Sequence, residues 1–264
     1  MNFVQILSEL QGSPNNTTHF DETWSQGRSA FGGLSAAFAI TAMTKQVDAD
    51  TPLRSLMVSF IAPIPPGEVE VKTHIQRQGK NVTQLSADVL SGGELCLQAM
   101  GVFGRGRAAT ASPPGDTFDP LPREQGIVFA DHARRLPSFL KYFEGCWAGG
   151  GLPFSGRKAN TLDLWARHTS DLSEFPAEQV CAIADIPPPV MLSHFTTPTP
   201  ASSLTWSLEF LIPPAQINSD WFYLHFDMEG AAEGYTQQSG RIYTEDGRLC
   251  ALTRQCMVYF EQSK

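Results

Sequence analysis

The sequence predicts an α+β protein in which one structural plan is used twice. Three observations carry that expectation. An Ala-rich stretch, "FGGLSAAFAITAM" (Phe31 to Met43), is followed by four strand-like segments, which is one helix with a meander of strands behind it. The second half repeats the order of one helix and then strands. Two strands also open alike, "GGELCLQAMGVF" (Gly92 to Phe103) and "DGRLCALTRQCMVYF" (Asp246 to Phe260), each with Gly-x-Leu-Cys and a run to an aromatic. "RSLMVSF" and "SSLTWSLEF" align as well, so the two matches lie about 148 and 154 residues apart, close to a single repeat length. Only the later copy of the final strand carries a polar residue, Gln255, where the earlier copy has Gly101.

Along the chain, Phe3, Ile6, Leu7 and Leu10 have the spacing of a short amphipathic helix. That segment has no basic start, and Gln5, Ser8 and Glu9 interrupt it, so it does not read as a secretory signal and a cytoplasmic location is expected. After a loop containing Trp24, Phe31 to Met43 is apolar nearly all round and reads as a buried helix opened by Gly32-Gly33. Strands are expected in "LRSLMVSFIAPI", "EVEVKTHIQRQ", "NVTQLSADVLS" and "ELCLQAMGVFG", separated by Pro65-Pro66-Gly67, Gly79-Lys80 and Gly92-Gly93. The stretch that follows is rich in Gly, Pro and Ala without periodicity. It divides the chain into a unit over 1–104, a linker over 105–126 and a unit over 127–264.

In the second unit "FLKYFEGCW" and "TLDLWARHT" read as strands. "SEFPAEQVCAIAD" reads as a helix with Ser173 as N-cap, Pro176 in its first turn and a Pro187-Pro188-Pro189 stop. "SSLTWSLEFLI", "DWFYLHFDME", "YTQQSGRIYT" and the Gln255 segment complete the set. Simple alternation in the first of these puts Leu204, Trp206, Leu208 and Phe210 on the face opposite Ser203.

Composition excludes several classes. The chain has 264 residues, 42% hydrophobic and 17% charged, an ordinary globular balance. A net charge of −8, from 19 Lys+Arg against 27 Asp+Glu, argues against non-specific nucleic-acid binding. No apolar run reaches membrane-spanning length. Five cysteines without Cys-x-x-Cys spacing read as reduced core residues, not as zinc ligands or a disulfide framework. No Gly-x-Ser-x-Gly elbow, Walker A or dinucleotide glycine pattern is present, and no cofactor or metal is expected. The six histidines are scattered. Three basic pairs, Arg105-Arg107, Arg134-Arg135 and Arg157-Lys158, are candidates for holding phosphate groups.

These residues resemble a known family. "TWSQGRSAFGGLSAAFAI", "SFIAPIPPGEVEV" and "RQGKNVTQLSADVLSGGELC" are similar to the first half, and "SSLTWSLEF" and "YTEDGRLCALTRQ" to the second half, of the acyl-CoA thioesterase II (TesB-like) family. The resemblance spans nearly the whole chain. It implies a double hotdog, two tandem units in which an antiparallel sheet wraps a central helix. It also implies an acyl-CoA substrate and a catalytic trio from the second unit. Two fused units already satisfy the family's pairing, but their sheets leave edges and faces to cover, so a homodimer or larger homo-oligomer is expected. The family's carboxylate at the end of the second helix falls on Asp185, its hydroxyl on Ser203 and its glutamine in the last strand on Gln255. Ser203 stands where the family usually has Thr, and Ser202 or Thr205 takes its place if the register shifts.

The chemistry is consistent with that trio: thioester hydrolysis needs a water deprotonated as it attacks and donors for the developing oxyanion. A hotdog enoyl-CoA hydratase is disfavoured, since "ADIPPPVML" offers Asp185 and prolines but neither Asn nor His. A catalytically silent acyl-CoA-binding protein is the other alternative. Between the copies, Ser55 is expected at the place of Ser203 and Gly101 at that of Gln255, so one working site per chain is expected.

Overall fold

The computed structural model describes residues 1–110, 118–130 and 136–261. His132 and the pair Arg134-Arg135 lie outside the described residues. Helix α1 (Phe3–Gly12) starts with a capping box in which Asn2 and Gln5 each accept from the other's backbone N–H at 2.9 Å. Phe3, Ile6, Leu7 and Leu10 are all buried. A short strand β1 (Thr17–Phe20) and a small hairpin of β2 (Ser25–Gln26) and β3 (Ser29–Ala30) lead into α2 (Gly32–Thr44). Gly33 through Met43 are all buried, as a helix apolar on every side demands.

The first meander is β4 (Leu53–Phe60), β5 (Gly67–Gln78), β6 (Val82–Ser91) and β7 (Glu94–Gly104). The second half contributes β8 (Ile127–Val128), β9 (Phe143–Gly150), β10 (Thr161–His168), helix α3 (Pro176–Ala184), and then β11 (Ala201–Phe210), β12 (Phe222–Ala232), β13 (Tyr235–Thr244) and β14 (Leu249–Tyr259). Residues 139–142 of the segment read as one strand form 3-10 turns before β9 begins. Ser173 does not cap α3. Its backbone N–H donates to Asp171, the N-cap is Phe175 without a side-chain bond, and Pro176 opens the helix at the position where a missing N–H does no harm.

All long strands join one 12-stranded sheet in the order β1-β5-β6-β7-β4-β11-β14-β13-β12-β10-β9-β8. The two halves meet through the antiparallel pair β4–β11, and α2 packs on α3 beneath it. The arrangement is a double hotdog, α+β in class.

The sheet irregularities reveal the duplication. A bulge at Arg54 in β4 matches one at Leu204 in β11, one at Gln76 in β5 matches one at Glu229 in β12, and one at Cys96 in β7 matches one at Cys250 in β14. Even a side-chain contact recurs: Gln76 donates to Ser86 in the first half, and Ser239 donates to Glu229 in the second. The halves differ in what covers the outer sheet face. Phe118 and Leu121 of the expected linker lie on the second half, where Trp165 donates to the Leu121 carbonyl at 2.8 Å and Phe118 meets Trp165, Tyr223 and Tyr243. Four of the five cysteines are buried, Cys256 is half-buried, and all are free thiols.

Candidate active site

Asp185 terminates α3 as its C-cap, with the following prolines preventing another turn. Its carboxyl meets the start of α2. A Cβ on Gly32 would stand 2.6 Å from Asp185 Oδ2, and one on Gly33 would stand 2.8 Å from the Ala182 Cα. Only glycine permits this approach, which brings the Gly33 N–H to the Asp185 carboxyl as a donor. Burial pushes that carboxyl up to about 7, while Gln255 and the Gly33 amide pull it partly back.

Gln255 is held from below. Its Nε2 donates to Asp185 Oδ1 at 2.8 Å, and its Oε1 accepts from Gln238 Nε2 at 3.2 Å. Gln238 Oε1 in turn accepts from the Val190 N–H at 3.0 Å. Both glutamines are buried, and this chain fixes the Gln255 amide so that its NH₂ faces Asp185. Gln238 was not singled out from the sequence. Its signal is an amide in mid-strand at a place where a buried apolar residue belongs.

The bulge at Leu204 decides which hydroxyl shares the inner face with Gln255. Ser203 stands opposite Met257, and Trp206 stands opposite Gln255, and residues directly opposite in a ladder share a face. Met257, Trp206 and Gln255 are buried, so Ser203 faces inward with them. Ser202 and Thr205, opposite Val258 and Cys256, take the outer face and are exposed. Simple alternation therefore misplaced Ser203 relative to Trp206, because the extra residue in the strand resets the parity. Among the described residues the Ser203 hydroxyl bonds neither Asp185 nor Gln255; it lies on the inner face two residues along β14 from Gln255.

The same bulge corrects the comparison of the copies. Leu53, opposite Phe103, occupies the place of Ser203, while Ser55 matches outward-facing Thr205. Gly101, opposite Leu56, does match Gln255, opposite Trp206. Met43 fills the space above Gly101, with its Sδ and Cε 3.0 Å from where a Cβ would stand.

Of the basic pairs, Arg105 is engaged by Asp48 and Asp50. Arg157 and Lys158 are exposed on a loop tied to the segment after α3, through Phe154 N–H to the Leu192 carbonyl at 2.8 Å and Lys158 N–H to the Ser193 carbonyl at 3.3 Å. No group of three or more His, Cys, Asp or Glu among the described residues is placed to hold a metal ion.

Two family models match the chain. Residues 20–104 fit the acyl-CoA thioesterase N-terminal domain, and residues 111–259 fit the acyl-CoA thioesterase C-terminal domain. The chain belongs to the acyl-CoA thioesterase family. This thioesterase is a thioester hydrolase by that membership. Its fold is shared with a hot dog fold protein of unknown function from Alicyclobacillus acidocaldarius, at 19% identity and a TM-score of 0.83 over 94% of this chain and 93% of that one. A tesB protein from Mycobacterium avium subs paratuberculosis aligns at 14% identity and TM-score 0.78, covering 98% and 100% of the two chains. An acyl-CoA thioesterase II, TesB2, from Mycobacterium marinum aligns at 16% identity and TM-score 0.74, covering 97% and 99%. No curated protein matches the thioesterase significantly. Among its described residues no helix is long and apolar enough to cross a membrane.

Proposed function

We propose that the enzyme hydrolyses acyl-CoA thioesters by attack of a water molecule, with Asp185 as general base. The observation that carries this reading is the enclosed Asp185 carboxyl, raised to about 7 and fixed between the Gln255 amide and the Gly33 N–H. A base tuned close to neutrality is partly ionised at neutral pH and still able to take a proton. Gln255, oriented by Gln238, and Ser203, on the same face of the sheet, direct the water. First-turn amides of α2 not engaged by Asp185 supply donors for the thioester oxygen as it becomes negative. The second half carries the chemistry, and the first supplies α2 and one wall. Arg157 and Lys158 are the candidates for the coenzyme A phosphates, because their loop packs on the segment that follows Asp185.

The hydratase reading has less support, since no histidine bonds Asp185 or Gln255 among the described residues. We also read the chain as a homodimer or larger assembly, on the strength of its exposed outer sheet face, where Met57 is 58% and Met100 52% exposed, and keep the cytoplasmic location as a proposal from the sequence. The deciding experiment is release of free coenzyme A from acyl-CoAs of graded length, followed with a thiol reagent. Cleavage that disappears in Asp185→Asn supports the assignment. Tight binding without cleavage at any length would turn the protein into a silent acyl-CoA binder, and hydration of an enoyl-CoA would favour the hydratase.

A further inference from the structure

The register of β4 brings one aromatic side chain of the first half to the site. Val58 stands opposite Trp206 and is buried with it, so Phe60, two residues further along β4, faces the interior as well. Ser59 stands opposite Thr205, which puts Phe60 level with the bulge that turns Ser203 inward. A Cβ on Gly32 would stand 3.3 Å from Phe60 Cε1 and Cζ as well as 2.6 Å from Asp185 Oδ2, so the ring edge and the carboxyl converge on one glycine. Gly32, Phe60 and Ser203 are each half-buried, while Val58, Leu97, Trp206 and Gln255 behind them are buried. These three residues mark where the site opens to solvent, and Phe60 supplies the apolar side chain among them.

The matching residue of the second half has no such place. Phe210 follows the bulge at Leu204 at the spacing by which Phe60 follows the one at Arg54, but Phe210 is 5% exposed and belongs to the core. The same position is core in one copy and a wall of the opening in the other. Under the proposed mechanism the thioester oxygen lies at the first turn of α2 and the attacking water at Asp185. The acyl chain and the sulfur arm then leave the planar carbonyl carbon in different directions. Arg157 and Lys158, on the loop packed against the segment after α3, draw the coenzyme to the second-half side. The acyl group is left facing Phe60, on the first-half side.

We propose that Phe60 is a specificity-determining residue: its ring packs against the first carbons of the acyl group and leaves no room for a branch beside the carbonyl, so the substrates are acyl-CoAs unbranched at that carbon. The ring has nowhere to retreat, because Leu97 stands opposite it on β7 and is itself buried. In a site of this kind one ill-fitting methyl group is worth roughly 10- to 200-fold in kcat/KM. This rests on the reading of Asp185 as base and of Arg157 and Lys158 as the phosphate contacts.

The test compares an unbranched acyl-CoA with its α-methyl derivative, at the chain length that wild type cleaves fastest. Wild type should favour the unbranched substrate by about tenfold or more in kcat/KM. Phe60→Ala should bring the two within about threefold, mainly by speeding the α-methyl substrate, and should leave the acid limb of the pH profile in place. Phe60→Leu, which keeps an apolar side chain against Leu97, should fall in between, and it decides the matter if the alanine variant does not fold. Phe210→Leu is the control: it should lower the melting temperature and leave the ratio unchanged. A wild type without preference overturns the proposal, as do Phe60 variants that lose the same factor on both substrates, and so does an equal shift of the ratio in Phe210→Leu. If wild type cleaves no thioester, the reading of Asp185 fails. Dissociation constants of non-hydrolysable thioether analogues, unbranched and α-methyl, then decide the role of Phe60 in the same variants.

Discussion

Met43 lies directly on Gly101, at the place in the first half that corresponds to Asp185 on Gln255 in the second. One copy of the plan has a thioether packed on a bare backbone, and the other has a carboxylate held by an amide. Leu53 stands where the second half has Ser203, so the first half keeps none of the three groups. Titration with a non-hydrolysable acyl-CoA analogue should therefore saturate at one per chain. Ser55→Ala, on the outer face, should change kcat/KM by less than about threefold, and a larger loss or two equivalent sites would contradict the assignment.

Asp185→Asn should lower kcat by roughly 10²-fold or more, since the amide cannot take the proton from water. Circular dichroism should be unchanged. Activity within a few-fold of wild type would remove Asp185 from the mechanism.

The pH profile should follow the same carboxyl. On the acid side kcat/KM should rise with pH and reach half its limit near 7, as Asp185 ionises. For stability the sign is opposite. A carboxyl raised in the folded state contributes stability that is present below its unfolded value near 3.8 and is lost as pH climbs through about 7. Thermal melts of Asp185→Asn should accordingly gain on wild type between pH 5 and pH 8. An acid limb centred near 4 would show that Asp185 is not the titrating base.

Ser203→Ala and Gln255→Ala should each lose about 1–3 kcal/mol of transition-state stabilisation, which is roughly 5- to 150-fold in kcat/KM. Gln238→Ala should lose less than Gln255→Ala, because it acts only by orienting that amide. Steady-state kinetics on one acyl-CoA would check the order.

Gly32→Ala should damage the site more than the fold, since its Cβ would meet Asp185 Oδ2 at 2.6 Å. Gly33→Ala should damage both, since its Cβ would strike the backbone of α3 at Ala182. Melting temperature and kcat measured together on both variants separate these outcomes.

The assembly proposal has its own check. Light scattering at micromolar concentration should give more than the monomer mass of 28.9 kDa, and a monomer would leave the exposed Met57–Met100 face unexplained.

By itself the sequence determined the element plan. Period and punctuation placed α2, α3 and the long strands, because a buried helix must be apolar all round and a half-buried strand must alternate. The repeated Gly-x-Leu-Cys showed the duplication, and a mid-strand amide at Gln255 stood out because it broke an apolar pattern. Tertiary structure decided the rest. Whether Ser203 or Thr205 faces Gln255 depends on one bulged residue, Leu204, and a bulge is a property of two paired strands, not of one segment. That Gly32 and Gly33 belong to Asp185 could not be read locally either, since the contact joins positions more than half the chain apart through the crossing of α2 and α3. Met43 and Phe60 looked like ordinary core residues. Their meaning comes from what packs on them, Gly101 in one case and Gly32 in the other, because burial and partners, not residue type, set what a side chain can do.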